Sequence, residues 1–276
     1  MANTPPASRS RILTGCARLF SAPLLPVPDH RAPLERPLVI LAIFFLLSLL
    51  LMWGPDYTLG LWMKQFPEEL QPAAEWITDL GEGFEVLVVT GVLLILSLFV
   101  PTTRLRKRVV VGANAITAAA AFIFLSVAGG GLMASLVKNM IGRARPKLLD
   151  THGYLHFEPF TFDSDFAAFP SGHSATAGAM AMSLALVFPR LRSLFIPVGV
   201  LICLSRQLVG AHWPSDTIMG WAVGVAFTLW LAHGFACRRL MFTYDGDGCL
   251  RRKTGRRVIK GMWGALRHGR GVAKVA

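Results

Sequence analysis

Uncharged, mostly apolar stretches recur along the chain at 37–55, 86–103, 109–137, 174–189 and 217–237. A further one, 193–211, is interrupted only by Arg206 near its end. A helix needs about 20 residues to cross roughly 30 Å of hydrocarbon, so the pattern predicts six transmembrane helices. The expected fold class is therefore all-α, an integral membrane bundle. The stretch 109–137 is too long for one upright helix, and Gly129, Gly130 and Gly131 mark a break or a point of close packing.

Composition supports a membrane class. Of 276 residues, 53% are hydrophobic and only 16% charged, fewer charges than a soluble domain of this length usually carries. The cations are unevenly placed. Twenty-two of the 28 Lys and Arg lie before residue 37, in 101–108, in 189–193 or after residue 236, whereas 12 of the 16 acids lie in the other segments. The positive-inside rule puts the cation-rich segments, and with them both termini, in the cytoplasm. Three units follow: a basic N-terminal arm over 1–36, a six-span domain over 37–237, and a basic tail over 238–276. The net charge of +12 is then mostly a signal of topology. Anionic lipid at the inner leaflet is the simpler partner for the tail, and nucleic acid is not expected.

The first span does not read as a signal peptide: 36 residues precede it, and no small-x-small cleavage pattern follows it. Cys16, Cys203, Cys237 and Cys249 are too scattered for a disulfide framework or a metal cluster. No HExxH or cysteine-pair zinc spacing occurs, so neither a metal site nor a cofactor is expected.

Three junctions on the outward side carry the unusual residues. Lys138 through Arg145 and Pro146 closes the third span, Pro170, Ser171, Gly172 and His173 open the fourth, and Ser205, Arg206, His212 and Asp216 join the fifth to the sixth. Each alone has a bland reading: a snorkelling helix end, an ordinary cap, a turn. Together they spell K-x6-RP, PSGH and SR-x5-H-x3-D. This resembles the type-2 phosphatidic acid phosphatase family, within the lipid phosphate phosphatase and vanadium haloperoxidase superfamily. The motifs cover 138–216; the first 100 residues and the tail agree only through span count.

The residues can be read for chemistry in their own right. Lys138, Arg145 and Arg206 are three cations at one rim, suited to a phosphate dianion. On a continuing helix Lys138 and Arg145 would share a face, about 10 Å apart in rise. Ser171 offers a hydroxyl, Gly172 lets an anion approach the backbone, and the following helix N-terminus points its free N–H groups there. Transfer of a phosphoryl group needs an in-line nucleophile and an acid for the leaving group. His212 oriented by Asp216 suits the first and His173 the second, although the residues alone do not rank the two histidines. The resemblance does: it implies a phosphohistidine on His212, formed without metal. Pro214 argues against an unbroken helix through this pair.

Other candidates rank lower. Arg143 reads as a solvated loop arginine, with contact to a head group as the sharper option. His152 and His156 match no motif, and His233 reads as a polar cap at the inner end of the last span. Tyr154, Phe157, Phe160, Phe162, Phe166 and Phe169 read as an interfacial aromatic belt rather than a lid. What the resemblance implies is hydrolysis of a lipid phosphate at the outer face. Undecaprenyl diphosphate, phosphatidylglycerol phosphate, phosphatidate and lipid A are candidate substrates. Phosphotransfer to a lipid acceptor is the near alternative, and a transporter for an anion is the alternative from another class. The motif charges sit at a rim and not at the midplane, which disfavours transport.

Overall fold

The computed structural model describes residues 20–63, 65–100 and 105–253. Cys16, the first 19 residues of the expected arm and the tail from 254 onward lie outside the described residues.

Nine helices are described: α1 (Pro37–Met52), α2 (Pro55–Met63), α3 (Gln71–Asp79), α4 (Phe84–Leu98), α5 (Lys107–Ile141), α6 (Leu149–His152), α7 (Gly172–Val187), α8 (Arg192–Leu208) and α9 (Pro214–Cys237). A two-stranded antiparallel hairpin follows, β1 (Phe242–Tyr244) paired with β2 (Leu250–Arg252). The hairpin departs from the all-α expectation. Its turn is built by the Asp245 carboxylate, which accepts the N–H groups of Asp247 and Cys249, with Gly248 at positive φ.

Four helical stretches are long and apolar enough to cross a membrane: Glu68–Leu98, Val109–Ile141, Pro189–Leu208 and Pro214–Cys237. The pair α1 and α2, bent by 70° at Gly54, makes a fifth if taken as one span. The expected span at 174–189 is a helix of only 16 residues, about 24 Å at 1.5 Å per residue. It is also the centre of the bundle, packed against α5, α8 and α9.

Small residues explain that position. Ala175, Ala177, Gly178, Ala179 and Ala181 of α7 are buried, so neighbouring backbones come close. A Cβ on Gly224 of α9 would stand 2.0 Å from the Ala175 carbonyl oxygen, and one on Gly178 would stand 2.6 Å from that of Trp221. Of the two readings of the glycine triplet in α5, close packing holds. The helix runs unbroken for 35 residues, and a Cβ on Gly129 would meet Phe227 at 2.2 Å. The large aliphatic side chains face the other way: Leu46 and Leu50 of α1 and Val89 and Ile95 of α4 are exposed. An apolar exterior around a small-residue interior is the arrangement lipid favours.

The two ends of the bundle are distinct. At one, Leu24 and Leu25 donate to the Cys237 carbonyl, and His233 bonds both the Glu35 carbonyl and the Tyr244 hydroxyl. The Glu35 carboxylate takes the Leu250 N–H. The residues before α1 and the hairpin after α9 are thereby tied together, and His233 is the polar tie its position suggested. At the other end lie the C-termini of α5 and α8 and the N-termini of α7 and α9.

Candidate active site

That second end gathers all three motif junctions. Helix α5 stops at Gly142, whose left-handed backbone (φ 69°) lets its N–H return to the Lys138 carbonyl, a glycine C-cap. The expectation that Lys138 and Arg145 share one helix face is thus corrected: the helix ends between them. Arg143 then forms a bridge with Phe157, and Arg145 is extended, its N–H on the Asp165 carbonyl and its Nε on that of Ser164. Lys138 and Arg145 are nonetheless within electrostatic reach of each other.

Ser171 is the N-cap of α7. Its Oγ accepts from the Ser174 N–H and hydroxyl, and its N–H donates to the Asp216 carbonyl. Having accepted two bonds, the buried Ser171 hydroxyl keeps its own proton to donate. The space that a Cβ on Gly172 would enter is open, and the first N–H groups of α7 have no carbonyl of their own helix to bond. His173 follows, with Nε2 3.8 Å from the Glu82 carboxylate. It is within electrostatic reach of Arg206, His212, Arg145 and Lys138. Arg206 is buried, and its Nε has no hydrogen-bond partner among the described residues. Three cations and two imidazoles therefore surround the start of α7.

The surroundings of His212 differ from expectation. Its Nδ1 is 2.9 Å from the Ala168 carbonyl oxygen and 3.7 Å from Asp216 Oδ2. A carbonyl only accepts, so Nδ1 carries the proton and Nε2 is left with its lone pair. The backbone at Ala168, not the Asp216 carboxylate, fixes this tautomer. Burial holds His212 below its ordinary 6.5, with the Asp216 carboxylate opposing. Burial likewise lowers Arg145, and Asp165 and Asp216 oppose that.

Asp216 is committed elsewhere. Oδ2 accepts the Trp213 N–H at 2.8 Å, closing the capping box that starts α9, with Pro214 at the first turn. Oδ1 accepts from Arg143 Nη1 at 2.6 Å. Arg143 is fully buried, which corrects its reading as a solvated loop residue. Its Nη1 also reaches Ser215 Oγ at 2.6 Å, and its Nη2 reaches Asp56 Oδ2 at 3.0 Å and the Tyr154 carbonyl at 3.1 Å. Asp56 accepts the Ser215 N–H and hydroxyl as well. Trp213 completes the lock: its Nε1 donates to the Ala144 carbonyl, and a Cβ on Gly60 of α2 would clash with its ring at 2.3 Å. Helix α2 thus brings Asp56 down beside the motif loops. Nothing in the sequence pattern singles out Asp56 among the acids that follow the first apolar stretch.

The aromatic residues of the loop divide. Phe160 and Phe162 are exposed, both at positive φ, whereas Phe169 is buried and Tyr154 packs between Tyr57 and Trp213.

Residues 118–239 match the model of the PAP2 superfamily. A lipid A 1-phosphatase of Rhizobium johnstonii is 45% identical over 128 residues, 46% of this chain and 52% of that protein. Phosphatidylglycerophosphatase B of Escherichia coli K12 is 40% identical over 74 residues, 24% of this chain and 29% of that protein. An undecaprenyl-diphosphatase of Sulfolobus acidocaldarius is 28% identical over 195 residues, 67% of this chain and 84% of that protein. The alignment thus spans about half the length of the rhizobial relative. Among solved structures, a transmembrane PAP2 type phosphatidylglycerolphosphate phosphatase from Bacillus subtilis superposes with a TM-score of 0.50 at 20% identity. It covers 71% of this chain and 94% of that one, a likeness of fold.

Proposed function

We propose, from the match of residues 118–239 to the PAP2 superfamily model, that this protein is a membrane phosphatase of lipid phosphate esters. The reading has catalysis at the outer face and both termini inside. The observation that carries it is the convergence of Lys138, Arg145, Arg206, His173 and His212 on the N-terminus of α7. Fixed cations and helix N–H groups there suit the equatorial oxygens of a phosphoryl group in transit.

In this reading His212 Nε2 attacks phosphorus as the bond to the lipid oxygen breaks, and His173 gives that oxygen its proton. Water then attacks the phosphohistidine, His173 takes the water's proton, and phosphate leaves. The dianion itself favours a proton on His173, since it adds negative charge to a cluster of cations. Ser171 and Gly172 hold the phosphate, and no metal is assigned a step. Asp216 acts through its charge near His212 and through Arg143.

A groove of about 1060 Å³ supports a lipid as substrate. It is lined by apolar side chains such as Val137, Val223 and Trp230 and runs from Arg31 and Arg36 to Phe169 and Pro170, beside the phosphate cradle. Helix α7, though short, completes six crossings. Among substrates lipid A 1-phosphate stands first, because two rhizobial proteins 45% and 44% identical over 128 residues bear that name.

The test is phosphate release by the purified protein from lipid A, phosphatidylglycerol phosphate, phosphatidate and undecaprenyl diphosphate, with His212→Ala as the blank. Release is expected to continue in EDTA and to stop with orthovanadate, which can adopt the five-coordinate geometry of the transition state. Turnover abolished by chelation and restored by Mg²⁺ would overturn the mechanism.

A further inference from the structure

His152, His156 and Glu158 stand together where the chain leaves α6. One ligand atom from each lies within 4.8 Å of the others. Two imidazoles and a carboxylate form a borderline nitrogen and oxygen donor set, the kind that divalent zinc takes with bonds of about 2.0–2.2 Å. Tetrahedral bonds of that length set donors about 3.4 Å apart. His156 Nε2 and Glu158 Oε1 are now 2.9 Å apart, so an ion would enter by parting them a few tenths of an ångström.

The rings are also oriented. The Thr151 hydroxyl donates to the Leu148 carbonyl, and Thr151 Oγ1 stands 2.8 Å from His152 Nδ1. In the tautomer with the proton on Nδ1, Thr151 Oγ1 accepts from it and Nε2 carries the lone pair for a metal. Fixing a ligand histidine through its other nitrogen is how metal sites set tautomer and direction. Phe166 packs its ring against both imidazoles. A His156–Glu158 hydrogen bond alone would explain neither the relay to Leu148 nor the placement of His152.

We propose that His152, His156 and Glu158 bind a divalent transition metal of the zinc class, which braces the loop beside the active site. The consequence follows from the backbone. The His156 carbonyl accepts the Ala144 N–H at 2.9 Å, and the Glu158 N–H donates to the Gly142 carbonyl at 2.7 Å. A metal here clamps the stretch that holds Arg143 and Arg145 without touching the reacting phosphorus. This inference does not rest on the phosphatase reading.

Cobalt(II) is the probe, added to the purified full chain in detergent without a polyhistidine tag. The expected result is visible ligand-field absorption that saturates near one ion per chain and is displaced by Zn²⁺. It should be lost in His152→Ala and His156→Ala and reduced in Glu158→Gln. Thr151→Val, which keeps all three ligands, should weaken binding roughly 10–100-fold. In the wild type, Zn²⁺ should slow hydrogen exchange at the Ala144 and Glu158 amides. No saturable uptake by folded protein, or uptake that survives His152→Ala, would overturn the proposal. So would uptake lost in His173→Ala, or exchange unchanged by Zn²⁺.

Discussion

Arg143 and Asp216 form a fully buried ion pair, Nη1 to Oδ1 at 2.6 Å, directly behind the imidazole of His212. Asp56 shares the guanidinium from the other side at 3.0 Å. Two carboxylates on one arginine, with Ser215 bonded to both Arg143 and Asp56, make a network whose members fail together.

Substitutions there should therefore be graded. Arg143→Ala leaves two buried carboxylates without a counter-charge and should cost on the order of 3–5 kcal/mol. Arg143→Lys supplies one point charge where a planar fork is needed, so it should retain part of the stability. Asp56→Asn leaves the Arg143–Asp216 pair and should be mildest. Thermal unfolding in detergent, with kcat/KM on a lipid phosphate, would check the order. Wild-type stability in Arg143→Ala would mean the network contributes nothing.

The motif residues were legible because each junction is local in the chain and its residue types are chemically unusual beside apolar helices. The network behind them was not. Arg143 lies 87 residues from Asp56 and 73 from Asp216, and only the 70° bend after α1 brings Asp56 to it. The tautomer of His212 was legible only in part, since Ala168 acts through a carbonyl that every residue has. Apolar length found the longer helices, α7 among them, but did not show that small residues at α7 serve close packing with its neighbours. The hairpin was hidden because three-residue strands leave almost no periodic signal.

Burial of His212 gives a pH dependence with a definite sign. Its folded pKa lies below the ordinary 6.5. Above that value both folded and unfolded forms are neutral. As pH falls, the unfolded chain takes up the proton first and stability is lost. Between about pH 7.5 and about pH 5 the wild type should thus lose more thermal stability than His212→Gln. An equal loss in both would show that His212 is not held neutral by burial.

Topology can be tested on intact cells in a cysteine-free background. Ser164 and Asp247 are exposed and lie at opposite ends of the bundle. Ser164→Cys should react with a membrane-impermeant maleimide from outside, and Asp247→Cys only after permeabilisation. The reverse pattern would place catalysis in the cytoplasm.

The two histidines should separate by leaving group. His212 is the nucleophile in the proposed mechanism, so His212→Ala should lose activity on every substrate. In that mechanism His173 protonates the departing oxygen, which matters for a lipid alkoxide and little for an activated aryl phosphate that leaves unaided. His173→Ala should therefore keep more of its activity on the aryl ester than on the lipid. Asp216→Asn should fall between them: the Ala168 carbonyl still fixes the His212 tautomer, while Arg143 loses one of its two carboxylates. Rapid quench with ³²P-labelled lipid tests the covalent step. Acid-labile, base-stable label is expected on the wild type and on His173→Ala but not on His212→Ala. Label persisting on His212→Ala would assign the nucleophile to another residue.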